Sequence, residues 1–463
     1  MPDILIIGGG LAGLAAAAAL ATCGRRITLL ESRPRLGGRA SSFVDQATGT
    51  TIDNCQHVSL GCCTNFRHFC DLTGIGDQLR TEPAITFIGP NQRAHRLSAS
   101  PLPAPLHLLP GFAQLSYLNW YDKWRLMWGL KALAHRRQST SNELMSDWLR
   151  RHRQTPQTIQ RVWQVVLVSA LSESLNRITV KDARKVFVNA FLANRQGWEL
   201  QIPTVPLDTL YTHRVGDWLR QQGVDVRLAT GVSRMVMREQ CATGAELRDG
   251  SILSADEIIL AVPSFGVAAL LPEKIAALPA IQGLGQLEWA PISSVHLWFD
   301  RPIMPLPQAT FVDRLSQWIF ARGATRQLDG STAEYYQVVI SASHQLGGRE
   351  QGAIIREVVT DLAAAWPSTA AARLVNSRVV TEHRACLSML PENEVLRPGS
   401  QSPIPNLSLA GDWTATGWPS TMEGAVRSGY LAAENVLNRL GEPQRFIQPD
   451  LPVSWLARAL LRI

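Results

Sequence analysis

Residues 4–7 (Ile-Leu-Ile-Ile) form an apolar run without polar interruption, the pattern of a strand covered on both faces. The run stops at three glycines, an alanine run from Ala15 to Ala19 follows, and a second apolar run, Ile27 to Leu30, leads into Glu31. That order predicts strand, Gly-rich turn, slim helix, strand. Residues 224–263 read as short alternating strands that end in a buried one. Residues 119–137 set Trp120, Trp124, Met127 and Trp128 near helical spacing, with Lys123, Arg125 and Lys131 between them. This predicts an amphipathic helix that packs in a core, lines a substrate tunnel or touches a membrane. The runs SSVHLWFD, QWIFAR, EYYQVVISAS and NSRVVTEHRACLSM, between residues 293 and 389, predict a sheet. Near the end of the sequence, Val453, Leu456, Leu460 and Ile463 recur on one helical face. Trp455 sits beside that face, and Arg458 and Arg462 sit on another. Such a helix either docks on the protein's own surface or lies at a membrane interface.

The turn after the first strand carries G-x-G-x-x-G as Gly8, Gly10 and Gly13. The first glycine permits the tight turn, the second lets backbone approach a pyrophosphate, and the third lets the helix pack closely on the strand. The helix N-terminus then faces the diphosphate. Glu31, eighteen residues after Gly13, is placed to accept the ribose hydroxyls and would repel a 2′-phosphate. In this context the fingerprint predicts dinucleotide binding. Directly afterwards, SRPRLGGRASSF adds Gly37 and Gly38 for a second close backbone approach, and Arg39, which can reach a phosphate or the ribityl region.

This E-x-x-x-x-x-G-G-R extension resembles the FAD proteins of the amine oxidase and phytoene desaturase superfamily. So does NLSLAGDWTATGWPSTMEGAVRSGYLAAENVL, residues 406–437. The resemblance implies non-covalent FAD, with Gly411 and Asp412 near the ribityl-diphosphate and the helix N-terminus at Thr421 and Met422 at the flavin N1/O2 edge. It also implies that Val232 contacts adenine through its backbone. The fold expected is α/β: a Rossmann-type FAD-binding domain with an inserted α+β substrate domain. Residues 1–80, 205–263 and 401–440 would build the FAD domain. Residues 81–204 would be a helical part of the substrate domain, 264–400 its sheet, and 441–463 a tail with an amphipathic helix.

Residues 53–70, DNCQHVSLGCCTNFRHFC, hold four cysteines and two histidines. Cys55, Cys62, Cys63 and Cys70 lack the paired spacing of a zinc site, and a disulfide between adjacent Cys62 and Cys63 would be strained. No metal is expected. The segment DNCQHVSLG instead resembles the D-N-G-Q-H-x-x-x-G signature of hydroxysqualene dehydroxylases, FAD enzymes of bacterial hopanoid pathways. QGWELQIPTVPLDTLY, VHLWFDRPI, QWIF and LAGDWTATGWPSTMEGAV resemble the same family. Cys55 departs from it, standing where that family has glycine close to the flavin.

The resemblance implies reductive removal of an allylic hydroxyl from a C30 isoprenoid, giving squalene. His57 is the candidate proton donor to the leaving hydroxyl, the one group in the signature that titrates near neutrality. Three other readings stand beside it: a carotenoid-type desaturase or isomerase, a flavin amine oxidase, and a non-catalytic FAD-binding subunit. The strand LEWAPISSVHLWFD has no lysine, which argues against the amine oxidase, since many carry one beside the flavin.

Composition adds detail. Hydrophobic residues make up 46% of the 463, and fourteen are tryptophan, which suits an apolar channel or a membrane-facing surface. The net charge is +7 with arginine scattered. A nucleic-acid binder would gather that charge into a stripe, so mild attraction to an anionic membrane is expected instead. No secretory-signal pattern and no run of 18 apolar residues occur. The expectation is a cytoplasmic chain, peripheral on the inner membrane, with free thiols. No second nucleotide fingerprint names the electron donor to the flavin.

Overall fold

The computed structural model describes residues 3–463. Its nucleotide-type domain is a five-stranded, all-parallel sheet in the order Asp225–Arg227, Arg26–Leu30, Asp3–Ile7, Glu257–Leu260, Leu407–Leu409. The central strands are covered on both faces, which is why they read as unbroken apolar runs. Helix Leu11–Ala21 is buried at every residue. Its alanines leave room for helix Met422–Arg439, which packs directly against it. A Cβ on Gly429 would lie 2.2 Å from the Ala12 carbonyl oxygen and 3.0 Å from the Ala15 Cβ. The two helices therefore meet at backbone distance.

An antiparallel ladder, Val232–Arg238 with Cys241–Leu247 and Ile252–Ser254, follows the edge strand of this sheet. The second large sheet has seven strands. Its order is Leu374–Leu387, Trp289–Phe299, Thr332–Ser341, Trp318–Arg326, Gln308–Phe311, Ile85–Ile88, Ala94–Leu97. The last two come from the segment expected to be helical. The run Ile-Thr-Phe-Ile is β-branched and aromatic and pairs in parallel with Gln308–Phe311, so packing on the sheet edge sets its conformation. The rest of that segment is mainly helical, and helix Trp120–Ala134 opens with a capping box between Asn119 and Asp122. A three-stranded sheet, Ser59–Leu60, Leu200–Pro203, Leu79–Glu82, ties the end of the cysteine-rich loop to the insertion.

The C-terminal helix is shorter than its periodicity suggested and runs from Trp455 to Leu461, capped by Ser454. Its buried face is Ala457 and Leu461, which pack with Ala134, Val188 and Ala193. Val453 and Ile463 join that cluster from outside the helix, and Leu460 is exposed. The Ser454 hydroxyl accepts the Ala457 N–H at 3.0 Å and sets the first turn there, which leaves Val453 outside the helix. No helix among the described residues is long and apolar enough to cross a membrane.

Gly429→Ala is expected to force the two helices apart and cost about 1–3 kcal/mol, the usual penalty of overpacking. A lower thermal-unfolding midpoint would register it; an unchanged midpoint would show that the helices part freely.

Candidate cofactor and active site

At the tip of the first strand, Gly8 adopts φ +114°, and a Cβ on Gly13 would lie 1.9 Å from the Gly8 carbonyl oxygen. Gly10 differs. A Cβ there would approach only the Gly38 Cα, at 4.0 Å, so it would point into open space in front of the first helical N–H groups. Gly37 pairs with Gly10 as an isolated parallel bridge, and its N–H donates to the Gly9 carbonyl at 2.8 Å. The two glycine turns thus form one cradle that fits a diphosphate at a helix N-terminus. Glu31 is buried beside it. One carboxylate oxygen accepts the Gly9 N–H at 2.8 Å, and the other accepts the Arg33 N–H at 2.8 Å. The Thr230 N–H donates to the Glu31 carbonyl at 2.8 Å, which brings the start of strand Val232–Arg238 to the same corner.

The last motif reaches the cradle from the far end of the chain. The Gly411 N–H donates to the Ser428 hydroxyl at 2.8 Å. The Asp412 carboxylate accepts from Arg39 and from the Ser420 hydroxyl. Arg39 was expected at a phosphate or the ribityl region; its guanidinium is engaged by Asp412 and by the Ala385 carbonyl at 2.7 Å, and it lies 5.1 Å from the Trp289 ring centroid. Burial would lower the Arg39 pKa, but the Asp412 carboxylate outweighs it and holds it above its ordinary value. Thr421 caps the following helix, its hydroxyl accepting the Gly424 N–H at 3.2 Å, and Met422 begins that helix. Glu423 is fully buried and accepts the N–H groups of Asn65 and Phe66, which fixes the start of helix Thr64–Leu72.

The loop between these motifs is held from above by the seven-stranded sheet. Buried Asp53 accepts from the Ser42 hydroxyl (2.7 Å), the Leu207 N–H (3.0 Å) and Arg322 (3.0 Å). Arg322 also donates to the Gln56 side chain at 2.7 Å, and Gln337 reaches the Asp53 carbonyl at 3.4 Å. His57 Nδ1 lies 2.9 Å from the Cys55 carbonyl oxygen. A carbonyl only accepts, so Nδ1 carries the proton and Nε2 a lone pair. Burial lowers the His57 pKa, with Arg39 acting in the same sense against the Cys55 carbonyl and Asp53. The imidazole is therefore neutral at neutral pH. Burial, then Cys386 and Asp53, push the Cys55 thiol up to about 12, so it stays protonated. All seven cysteines are free thiols, and the described residues contain no cluster of metal-ligating side chains.

Sequence reasoning missed Arg397, Arg322 and Gln337. Buried Arg397 donates to the carbonyls of Asp412, Trp413, Thr414 and Trp418 and so shapes the last motif. Among the described residues its one side-chain partner is Glu394, at 3.2 Å; its contacts with the last motif go to backbone oxygens, which no local pattern marks. Arg322 and Gln337 lie in runs readable as strands, but only the sheet turns them toward Asp53.

An apolar cavity of about 480 Å³ opens in the helical insertion. Four of its lining residues, Phe87, Leu97, Leu108 and Phe191, also pack in the cluster that holds Cys55, Val58 and Leu60. The cavity wall is therefore continuous with the apolar cluster that packs on the Cys55 loop. The two charged side chains at its wall are engaged: Lys131 lies 5.6 Å from the Trp128 ring centroid, and Arg161 pairs with Asp313 at 3.0 Å.

A parallel sheet with a glycine cradle at the strand ends, roofed by a second sheet and fed by an apolar cavity, defines a dinucleotide-dependent oxidoreductase. The chain belongs to the flavin-containing amine oxidoreductases, whose family model matches residues 11–437, and its cofactor is FAD. It is 27% identical to the 15-cis-phytoene desaturase of Solanum lycopersicum over 94% of this chain and 77% of that protein. It is 26% identical to the hydroxysqualene dehydroxylase of Sinorhizobium fredii over 94% and 98%. Among solved structures, an oxidoreductase from Methanosarcina mazei superposes with a TM-score of 0.70 at 15% identity, covering 92% of this chain and 98% of that one.

Glu31→Ala is expected to leave the Gly9 and Arg33 N–H groups without their charged acceptor, a loss of roughly 1.5–3 kcal/mol each. The flavin-to-protein ratio after gel filtration in flavin-free buffer should fall. A ratio equal to that of the parent would remove the carboxylate from the cofactor site.

Proposed function

We propose that this chain removes the allylic hydroxyl of hydroxysqualene to give squalene, for hopanoid or related triterpenoid synthesis. The observation that carries the reading is the apolar cavity, four of whose wall residues belong to the apolar cluster that also holds Cys55 and Val58, the neighbours of His57. A C30 hydrocarbon with one hydroxyl suits a cavity lined almost wholly by apolar side chains. The near full-length match to a hydroxysqualene dehydroxylase supports it further.

In this proposal Gly8, Gly10 and Gly13 hold the diphosphate of FAD, and Glu31 and Val232 hold its adenosine end. Gly37 and Gly38 complete the cradle. Arg39 orients Asp412, and Gly411 and Asp412 hold the ribityl-diphosphate. Thr421 and Met422 present the helix N-terminus to the pyrimidine edge, and Cys55 lies along the ring. When bound, the reduced flavin supplies the hydride that replaces the hydroxyl. The remaining work belongs to the chain. Cavity walls exclude water and align the polyisoprene. His57 Nε2 accepts a hydrogen bond from the substrate hydroxyl, and after taking up a proton it returns that proton to the departing oxygen, which leaves as water. The carbocation left behind is allylic, hence delocalised. Because the substrate resides in a bilayer, the proposal includes peripheral association with the cytoplasmic side of the inner membrane.

A second reading draws on the neutral His57 with its free Nε2 lone pair and on the phytoene desaturase match. In a desaturation the same nitrogen would accept the proton lost from the hydrocarbon. The two roles have opposite pH dependences. Proton donation needs the imidazolium, whose population falls as pH rises through a pKa below the ordinary histidine value, so dehydroxylation should speed up as pH falls. Proton acceptance needs the neutral ring, so desaturation should speed up as pH rises through the same point. Anaerobic incubation of the reduced holoenzyme with hydroxysqualene, and of the oxidised holoenzyme with phytoene, followed by product mass, separates the two. His57→Ala is expected to keep its flavin spectrum and lose about 10²–10⁴-fold in turnover. Undiminished turnover in that variant would take His57 out of the mechanism.

A further inference from the structure

The mouth of the cavity is ringed by exposed apolar side chains. Trp124, Met127 and Trp128 of helix Trp120–Ala134, Leu109 before it and Leu460 of the C-terminal helix all line the cavity and all face solvent. The aromatic row continues beyond the mouth. Trp120 and Tyr121 have centroids 6.0 Å apart, Tyr121 and Trp124 6.0 Å, and Trp124 and Trp128 6.3 Å. Trp120 is 79% exposed, Trp128 54% and Trp124 47%, while Leu126, Gly129 and Leu133 bury the opposite side of the helix. A contiguous exposed patch of this kind marks an interaction surface.

Charge selects the partner. From Pro83 to Asn142 the chain has seven lysines and arginines and a single acid, Asp122, which is buried in the capping box. Residues 451–463 add Arg458 and Arg462 and no acid. These two stretches carry a net +8, against +7 for the whole chain, so all of its excess positive charge lies in the segments that surround this mouth. Aromatic rings beside lysine and arginine match an anionic lipid surface, where rings settle at headgroup level and cations meet phosphates. Two copies of so basic a face would repel each other.

We propose that this face docks on an anionic bilayer, with the row from Trp120 to Trp128 immersed and the cavity opening straight into the hydrocarbon layer. The substrate then enters without crossing water. Delivery of an isoprenoid rests on the function proposed above; the docking itself does not. Helix Trp455–Leu461 is fixed to the protein by Ala457 and Leu461, supplies Leu460 to the rim and leaves Trp455 exposed, so it joins the longer aromatic row at Trp120 as a second point of contact.

The test uses the FAD-loaded full chain with vesicles of phosphatidylcholine alone or mixed with phosphatidylglycerol. The parent should cosediment with the mixed vesicles and less with the neutral ones. Trp120→Ser with Tyr121→Ser, positions outside the cavity wall, should weaken partitioning to both by about tenfold or more. Arg136→Glu with Arg137→Glu should weaken binding to the anionic vesicles only. Both variants should keep the parent's flavin absorbance and its turnover of substrate in detergent micelles, and lose turnover of substrate embedded in vesicles. Cosedimentation of the aromatic variant equal to the parent's would overturn the proposal. So would a parent that ignores vesicles and instead forms a dimer, seen in sedimentation velocity, that the aromatic variant loses. Vesicle binding as expected without any turnover of hydroxysqualene in micelles would leave the docking face standing and remove the proposed reaction.

Discussion

Everything in this molecule depends on a backbone-to-backbone contact between two helices more than 400 residues apart. Ala12 and Ala15 on one and Gly429 on the other let helices Leu11–Ala21 and Met422–Arg439 touch without intervening side chains. Interiors pack at crystal-like density, so this approach sets where the second helix begins. Its N-terminus at Thr421 arrives near the glycine cradle, and the strand before it completes the parallel sheet. The Arg39–Asp412 pair ties the first and last motifs at the same level, and Arg397 holds the loop between them by its carbonyls. A nucleotide site made from distant segments is thereby assembled with fixed spacing.

The second sheet governs the chemistry through burial. Strands Trp318–Arg326 and Thr332–Ser341 place Arg322 and Gln337 on Asp53, and Asp53 anchors the loop on which His57 stands. The buried ring donates one proton to the Cys55 carbonyl and keeps the other nitrogen free. Low polarity disfavours the imidazolium, so the loop offers an acceptor at rest and a donor only after protonation. The same apolar surroundings keep the Cys55 thiol protonated. Between them, the imidazole is the group whose proton the loop can exchange with a ligand.

The cavity joins this chemistry to the surface. Phe87, Leu97, Leu108 and Phe191 line the hollow and belong to the apolar cluster that also holds Cys55 and Val58. Trp124, Trp128 and Leu460 face the same hollow and solvent. In the function proposed, a long hydrocarbon would lie against this apolar lining.

The α/β nucleotide-binding domain was legible in the sequence, because it rests on short-range patterns, and FAD followed from the resemblance of the GGR extension and the last motif to a flavoprotein superfamily. An unbroken run such as Ile4 to Ile7 can only be a doubly covered strand in this context, and G-x-G-x-x-G followed by Glu31 sets its own turn through backbone geometry. Other features were not legible, because they depend on which distant segments meet. Strand Ile85–Ile88 lies in a segment read as helical, and only its pairing with Gln308–Phe311 decides otherwise. The phase of the C-terminal helix followed from the Ser454 cap and the cluster around Ala134 rather than from the recurrence of Val453, Leu456 and Leu460. Arg39 read as able to reach a phosphate or the ribityl region, and its pairing with Asp412, 373 residues away, could be seen only once the chain had closed. The charge state of His57 was likewise open in the sequence. Composition gives the ring, but tertiary burial gives its environment, and the environment sets the proton.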